Sequence, residues 1–202
     1  MKRKIINSGW LEVITGSMYA GKTTEFIRRL KRARIAQQKT LIFKPIIDDR
    51  YSKKEIVSHD GESFEAIPIN RPEQILDNIY EEIDVVGIEE VQFFNESIIN
   101  IIEILIKSGK RVIAVGLDMD FRGEPFDTTA KLLSKAEYVD KLSGICVKCG
   151  DIGTRSQRSI DGKPALYSDP TILVGETDRY TCVCRSCHEV PKTKDEQLNL
   201  FD

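Results

Sequence analysis

The most constraining stretch is Gly16-Ser17-Met18-Tyr19-Ala20-Gly21-Lys22-Thr23, which fits G-x-x-x-x-G-K-[ST]. The apolar run from Trp10 to Thr15 reads as a strand, and Thr24 to Ala33 has helical spacing. A strand, a glycine-rich turn and a helix start aim backbone N–H groups and the positive end of a helix dipole at one point. A phosphate suits that point. Lys22 is placed for the β- and γ-phosphates of a nucleotide, and the Thr23 hydroxyl for Mg²⁺. The loop implies a nucleotide but not its use.

The remaining chain repeats the strand–helix alternation. Strands are expected at 40–45, 63–69, 84–90, 111–117 and 137–142, and helices at 72–82, 127–136 and from an Asn95 cap to Lys107. The charged segment 48–61 has no period and reads as a loop. Alternation through residue 142 predicts an α/β fold, a parallel sheet with helices on both faces. Ligands collect at the carboxyl ends of such strands. The loop at 16–23, the pair Glu89-Glu90 and the segment after Leu117 fall there by connectivity. Residues 1–142 form the expected nucleotide-binding domain and 143–190 a second, small domain. Residues 191–202 are a polar tail expected to be disordered.

Cys146, Cys149, Cys184 and Cys187 form C-x₂-C … C-x₂-C. Four thiolates close a tetrahedral Zn²⁺ shell, which predicts a structural rather than a catalytic metal. The segment between the pairs becomes a long loop pinned at both ends. Cys182 can also pair with Cys184 as C-x-C, but C-x₂-C is the commoner geometry, so Cys182 is left free. The formal net charge of −2 points to no nucleic-acid or membrane partner. The basic run Arg28 to Arg34 reads as a solvated helix face. No stretch has the signature of a signal peptide or a membrane helix, so a cytoplasmic setting is expected.

Glu89 and Glu90 close an apolar strand expected to lie beside the loop strand. A carboxylate there suits Mg²⁺, and its neighbour suits proton removal from a hydroxyl or water. Successive strand residues face opposite ways, so one glutamate faces away unless the strand ends between them. Asp118 to Phe126 carries two phenylalanines, a Gly and a Pro after a buried strand. It reads either as a wall for a flat apolar ligand or as a turn docking into the core. His59 and His188 are expected to make ordinary hydrogen bonds.

Gly16 to Thr24, Gly87-Ile88-Glu89-Glu90-Val91-Gln92-Phe93-Phe94, Gly116 to Phe121 with Pro125-Phe126, and the four cysteines stand in an order that resembles the zinc-containing, cellular type of thymidine kinase (type II). The resemblance reaches from the loop to about Glu189. It implies a P-loop, RecA-like sheet with a small zinc-ribbon or lasso domain, and transfer of the ATP γ-phosphate to the thymidine 5′-hydroxyl. Glu90 matches the general base. Gly16, Ser17, Met18, Tyr19, Ala20, Gly21, Lys22, Thr23, Glu89, Val91 and Gln92 match the ATP side. Thr23, Glu89 and Asp48 match the Mg²⁺ side, and Arg50 lies near the phosphates. Met18, Phe93, Leu117, Phe121, Phe126 and Ser156 match the nucleoside pocket. Thr171, Ile172, Leu173, Val174, Gly175 and Tyr180 match a lasso that binds the base. A homotetramer inhibited by dTTP is also implied. The family commonly has Asp-Glu where Glu89-Glu90 stand, and Thr where Ser156 stands.

Two other readings fit the loop and the cysteines. One is an ATPase whose zinc ribbon grips nucleic acid, opposed by the acidic balance and the lack of basic-aromatic patches in 146–187. The other is a nucleotide sensor without turnover.

Overall fold

Side-chain alternation in the apolar strands decides the layers. The computed structural model describes residues 8–46, 55–57, 63–171 and 180–192. Its first eight strands are β1 (Trp10–Gly16), β2 (Thr40–Pro45), β3 (Glu55–Val57), β4 (Ser63–Glu65), β5 (Ile67–Ile69), β6 (Val85–Ile88), β7 (Arg111–Gly116) and β8 (Tyr138–Leu142). Six of them form a parallel sheet in the order β5-β2-β6-β7-β1-β8. The helices are α1 (Lys22–Ile35), α2 (Gln74–Asp77), α3 (Ser97–Lys107) and α4 (Asp127–Lys135).

Leu11, Val13, Val112 and Ala114 point to one face and pack with Ile98, Ile102 and Leu132 of α3 and α4. Ile14, Ile113 and Val115 point to the other and pack with Phe26, Ile27 and Leu30 of α1. The expected layering, helices on both faces, is therefore present. Each such buried side chain contributes about 1.5–3 kcal/mol, so these two clusters dominate the stability of the sheet. Asn95 accepts the Ser97 N–H at 3.0 Å at the start of α3. Gly109, with φ 81, closes it, as Lys110 N–H reaches the Leu105 carbonyl and Gly109 N–H the Ile106 carbonyl.

Four local expectations change. β7 lies between β6 and β1, so the glutamate strand is not beside the loop strand. Periodicity marks a strand but not its neighbours. The run 63–69 divides at Ala66: β4 pairs antiparallel with β3, inside the segment read as a loop, and β5 joins the sheet edge beside β2. The helix expected over 72–82 shrinks to Gln74–Asp77. Of its apolar residues Ile75 is buried while Leu76 and Tyr80 are exposed, and the Asn78 side chain takes the Gln74 carbonyl at 2.8 Å. A helix that buries so little of its face has little tertiary support. The basic face of α1 is not wholly solvated either. Arg29 bridges Glu12, Glu25 and Asp140, and Arg34 lies 4.0 Å over the Phe64 ring.

Glu12 anchors α1 to the sheet. It is 6% exposed and accepts bonds from Trp10, Arg29 and Arg111. Burial alone raises its pKa, but Arg111 and Trp10 lead the bonds that bring it below the ordinary value. Glu25 is lowered further, to about 2, first by the Arg28 hydrogen bond and then, against burial, by Arg29. A carboxylate with a depressed folded pKa stabilises above its unfolded value and loses that contribution as pH falls. The melting temperature should therefore fall as pH drops from 4.5 towards 2, the ordinary and folded values of Glu25. Glu25→Gln should flatten this part of the profile; an unchanged acid limb would exclude the Glu25 pairs as its source. Glu12→Ala leaves Arg111 and Arg29 facing a buried gap and should cost about 3 kcal/mol in urea unfolding.

Five short strands follow: β9 (Gly144–Ile145), β10 (Ile152–Gly153), β11 (Arg155–Ile160), β12 (Lys163–Pro164) and β13 (Tyr180–Val183). β9 and β10 form one hairpin, and β12-β11-β13 a three-stranded antiparallel sheet. Val147 N–H donates to the Cys182 carbonyl at 3.0 Å, tying the hairpin turn to β13. No helix among the described residues is long and apolar enough to cross a membrane.

Candidate active site

The carboxyl ends of β1, β6 and β7 carry the site. Gly16 ends β1 at φ 138. A Cβ there would stand 2.2 Å from the Leu142 carbonyl oxygen on the neighbouring strand. Only glycine allows that approach, so Gly16→Ala should displace the loop and raise KM for ATP at least about tenfold. An unchanged KM for ATP in that variant would remove the constraint. Gly21, at φ 81, starts α1. Lys22 Nζ bonds the Ser17 carbonyl at 2.7 Å, which curls the loop around its own lysine. Thr23 Oγ1 donates to Glu89 Oε1 at 3.3 Å. The hydroxyl and the carboxylate give a set of hard oxygen donors, as Mg²⁺ requires.

β6 stops at Ile88, so the two glutamates are freed from strand alternation. Glu89 is 7% exposed and faces Thr23. Glu90 adopts left-handed backbone angles, φ 48 and ψ 46, ahead of a 3₁₀ turn over Val91–Phe93. That conformation costs a non-glycine residue about 1 kcal/mol or more and is kept where the surroundings hold it. Gln92 holds it here. Its Nε2 donates to Glu90 Oε2, and its Oε1 accepts the Leu117 N–H at 3.1 Å. Gly116 leaves room for this bridge, since a Cβ there would stand 2.5 Å from Gln92 Oε1. Glu90 is thus aimed by a side chain braced on the end of β7.

Phe121 of the aromatic turn is 2% exposed. The Arg122 and Arg158 guanidinium groups lie 5.4 and 5.3 Å from its ring centre. Arg158, itself 1% exposed, donates to the Pro170 carbonyl. Arg122 donates to the Asp169 carbonyl at 3.2 Å and to Thr171 Oγ1 at 2.5 Å. Two buried or half-buried cations therefore tie residues 169–171 to Phe121. Residue-type patterns gave no signal for either arginine, because one lies in a polar strand and the other in a turn. Arg158→Met keeps the stem but loses the bond and the charge; it should raise KM for thymidine about tenfold and leave KM for ATP within twofold. Equal shifts in both constants would count against this role.

The other positions that the resemblance implies for the nucleoside are partly covered. Leu117, Phe126, Phe93 and Met18 are half-buried, and the Met18 N–H donates to Ser156 Oγ at 3.0 Å. Tyr180 pairs with Arg158 across β11 and β13. His188 Nε2 lies 2.8 Å from the Phe121 carbonyl oxygen, the ordinary hydrogen bond expected of it. Burial lowers its pKa, with the Phe121 carbonyl opposing. Asp118 is buried after β7; its Oδ2 lies 2.8 Å from Lys141 Nζ without hydrogen-bond geometry, so the pairing is ionic. Asp48, Arg50, His59, Ile172, Leu173, Val174 and Gly175 lie outside the described residues, as do residues 193–202.

Cys146, Cys149, Cys184 and Cys187 place their sulfurs within 4.8 Å of one another. Cys149 and Cys184 are 3.7 Å apart. A tetrahedral Zn²⁺ with bonds of about 2.3 Å holds sulfurs about 3.8 Å apart, so the cluster fits such an ion. Burial raises the Cys146 thiol, but backbone bonds led by Cys184 bring it down to about 6, while hydrogen bonding with Cys184 and Cys149 pushes Cys187 up to about 12. Cys182 stays out of the cluster, as expected.

The family model for thymidine kinase matches residues 9–188. That span holds the loop, the glutamates, the aromatic turn and all four cluster cysteines. The chain belongs to the thymidine kinase family and is an enzyme that phosphorylates thymidine from ATP.

Proposed function

We propose that Glu90 is the general base and that the loop at Gly16–Thr23 holds the triphosphate. The support is geometric: Glu90 stands in a left-handed conformation braced by Gln92, next in the chain to Glu89, which accepts from Thr23 of the loop. Lys22 releases the Ser17 carbonyl for the β- and γ-phosphates. Val91 and Gln92 complete the ATP side with Tyr19 and Ala20. Thr23 and Glu89, with Asp48 by the resemblance, would hold the phosphate-bound Mg²⁺, which would supply neutralisation of developing charge. Glu89 is a methylene longer than the usual aspartate, and its carboxylate would serve the ion from the Thr23 side of the site. By the resemblance, Arg50 would serve the phosphates.

The thymidine 5′-hydroxyl loses its proton to Glu90 as its oxygen forms a bond to Pγ. The bond from Pγ to the β–γ bridging oxygen breaks, and ADP leaves with that electron pair. Phe121, Leu117, Phe126, Phe93 and Met18 wall the thymine. The Ser156 hydroxyl accepts the Met18 N–H and keeps its own proton to donate to the base. By the resemblance, Thr171 to Gly175 and Tyr180 would bind the base, largely through backbone groups. Cytosine would bring a donor where thymine has a carbonyl, leaving buried groups unpaired.

The cysteine cluster is read as a structural Zn²⁺ site, and the boundary near residue 142 as the limit between the nucleotide-binding and lasso domains. A homotetramer is what the resemblance implies; β8, an edge strand whose Tyr138 and Val139 are 60% and 45% exposed, offers a surface for self-association. dTTP is the inhibitor that the same pocket would take, its base in the thymine slot. The test is ATP with one nucleoside at a time, with and without dTTP. Turnover with thymidine that dTTP suppresses is the expected result; turnover indifferent to dTTP would remove the inhibitor assignment.

A further inference from the structure

The phosphate loop rests on more than its own strand and helix. Three consecutive loop residues abut the unit that carries the cysteines. Ser17 Oγ lies 3.4 Å from Cys182 Sγ. Met18 N–H donates to Ser156 Oγ at 3.0 Å. The Tyr19 carbonyl oxygen lies 3.1 Å from where a Gly144 Cβ would stand. Ser156 and Cys182 face each other across β11 and β13, and both are buried.

Cys182 also packs closely against two glycines, Gly144 and Gly153. A Cβ at Gly144 or Gly153 would stand 2.8 or 2.3 Å from its sulfur. Packing this tight transmits displacement rather than absorbing it. One residue further along the chain β13 ends at Val183, and Cys184 begins the second half of the cluster. The first half is tied to the same residue through Val147 N–H and the Cys182 carbonyl.

We propose that the facing pair Ser156 and Cys182 sets the shape of the phosphate loop, Cys182 acting as a positioning residue through Ser17, so that ATP affinity depends on the cysteine-bearing unit. The proposal rests on the reading of Gly16–Thr23 as the ATP site. A loop that binds phosphate through backbone N–H groups works only when those groups converge, and a shift of about 1 Å misaims them. Cys182 touches no reacting atom. Its sulfur fixes the Ser17 hydroxyl, and Ser156 fixes the next N–H, so two successive loop residues take their positions from one strand pair. The fifth cysteine, which zinc does not need, thereby has a part in nucleotide binding.

A double-mutant cycle on the full metal-loaded chain tests this, with metal content measured for each variant. Cys182→Ala should raise KM for ATP about three- to tenfold, the size of one lost hydrogen bond, with KM for thymidine within twofold. Cys182→Ser should return KM for ATP to within about twofold of the parent. With Ser17→Ala already present, Cys182→Ala should add less than about twofold, because the contact is gone. An unchanged KM for ATP, or the same rise in both backgrounds, would overturn the proposal. So would an equal rise for ATP and thymidine, which marks general loosening. If Cys182→Ala does not fold, the cycle runs with Cys182→Ser against Ser17→Ala, and equal KM for ATP in all variants overturns it. Lys22→Ala separates the two readings: retained ATP affinity there removes the loop as the ATP site, whatever the Cys182 variants do.

Discussion

Glu90→Gln is expected to lower kcat by about 10²–10⁴-fold while ATP still binds, the range for loss of a positioned general base. The carboxamide is nearly isosteric and cannot accept the hydroxyl proton. The effect should sit in kcat, since Glu90 acts on the reacting oxygen and the phosphates are held by other groups. The bond from Gln92 complicates the variant little, because a carboxamide oxygen can still accept from Gln92 Nε2. Gln92→Ala separates aim from chemistry. It removes the brace to Leu117 as well, and should cost less than Glu90→Gln while leaving the pH profile in place. Full activity in Glu90→Gln would remove Glu90 from the base role.

The second large effect is expected from the cysteine cluster. Cys184→Ser, or a strong chelator, should unfold residues 144–188 and abolish thymidine turnover. Structural Zn²⁺ contributes about 10–16 kcal/mol to small metal-held folds, far more than the unit's own core can supply. That core is small: Cys146, Val183 and Cys184, with Cys187 against it. The two large clusters of the parallel sheet contain none of these cysteines. Loss of metal should therefore leave the sheet folded while proteolysis opens the region between the cysteine pairs. A metal-free protein with normal protease resistance and normal turnover would exclude a structural metal.

Local patterns carried the sheet a long way. The spans expected at 10–15, 40–45, 84–90 and 111–117 all coincide with strands of the sheet, because buried parallel strands read as continuous apolar runs. The cysteine cluster was legible for a different reason: the spacing that brings the sulfurs together is local within each C-x₂-C pair. Strand order was not legible. Nothing in Val85–Ile88 says that β7 will stand between it and β1, since neighbours are chosen by the whole sheet. The short β3–β4 hairpin escaped because its pairing is decided by tertiary contact rather than by period.

The site divides the same way. The loop and Glu90 were found by motif and resemblance, but the left-handed turn that aims Glu90 depends on Gln92 reaching the end of β7. The contact of Arg158 with Phe121 and that of Cys182 with Ser17 join residues 37 and 165 positions apart in the chain. Such contacts leave no local trace. The odd cysteine was noticed, yet its partner lies on a loop that its own spacing does not mention.

The central claim is that donor and acceptor meet at Glu90 to phosphorylate thymidine. Its most direct test is ADP release by the metal-loaded chain with ATP, Mg²⁺ and a panel of nucleosides, followed by identification of the product. One dTMP per ADP with thymidine, and near-zero release with purine nucleosides or none, is the predicted result. ADP release that ignores thymidine and rises with added DNA would contradict it.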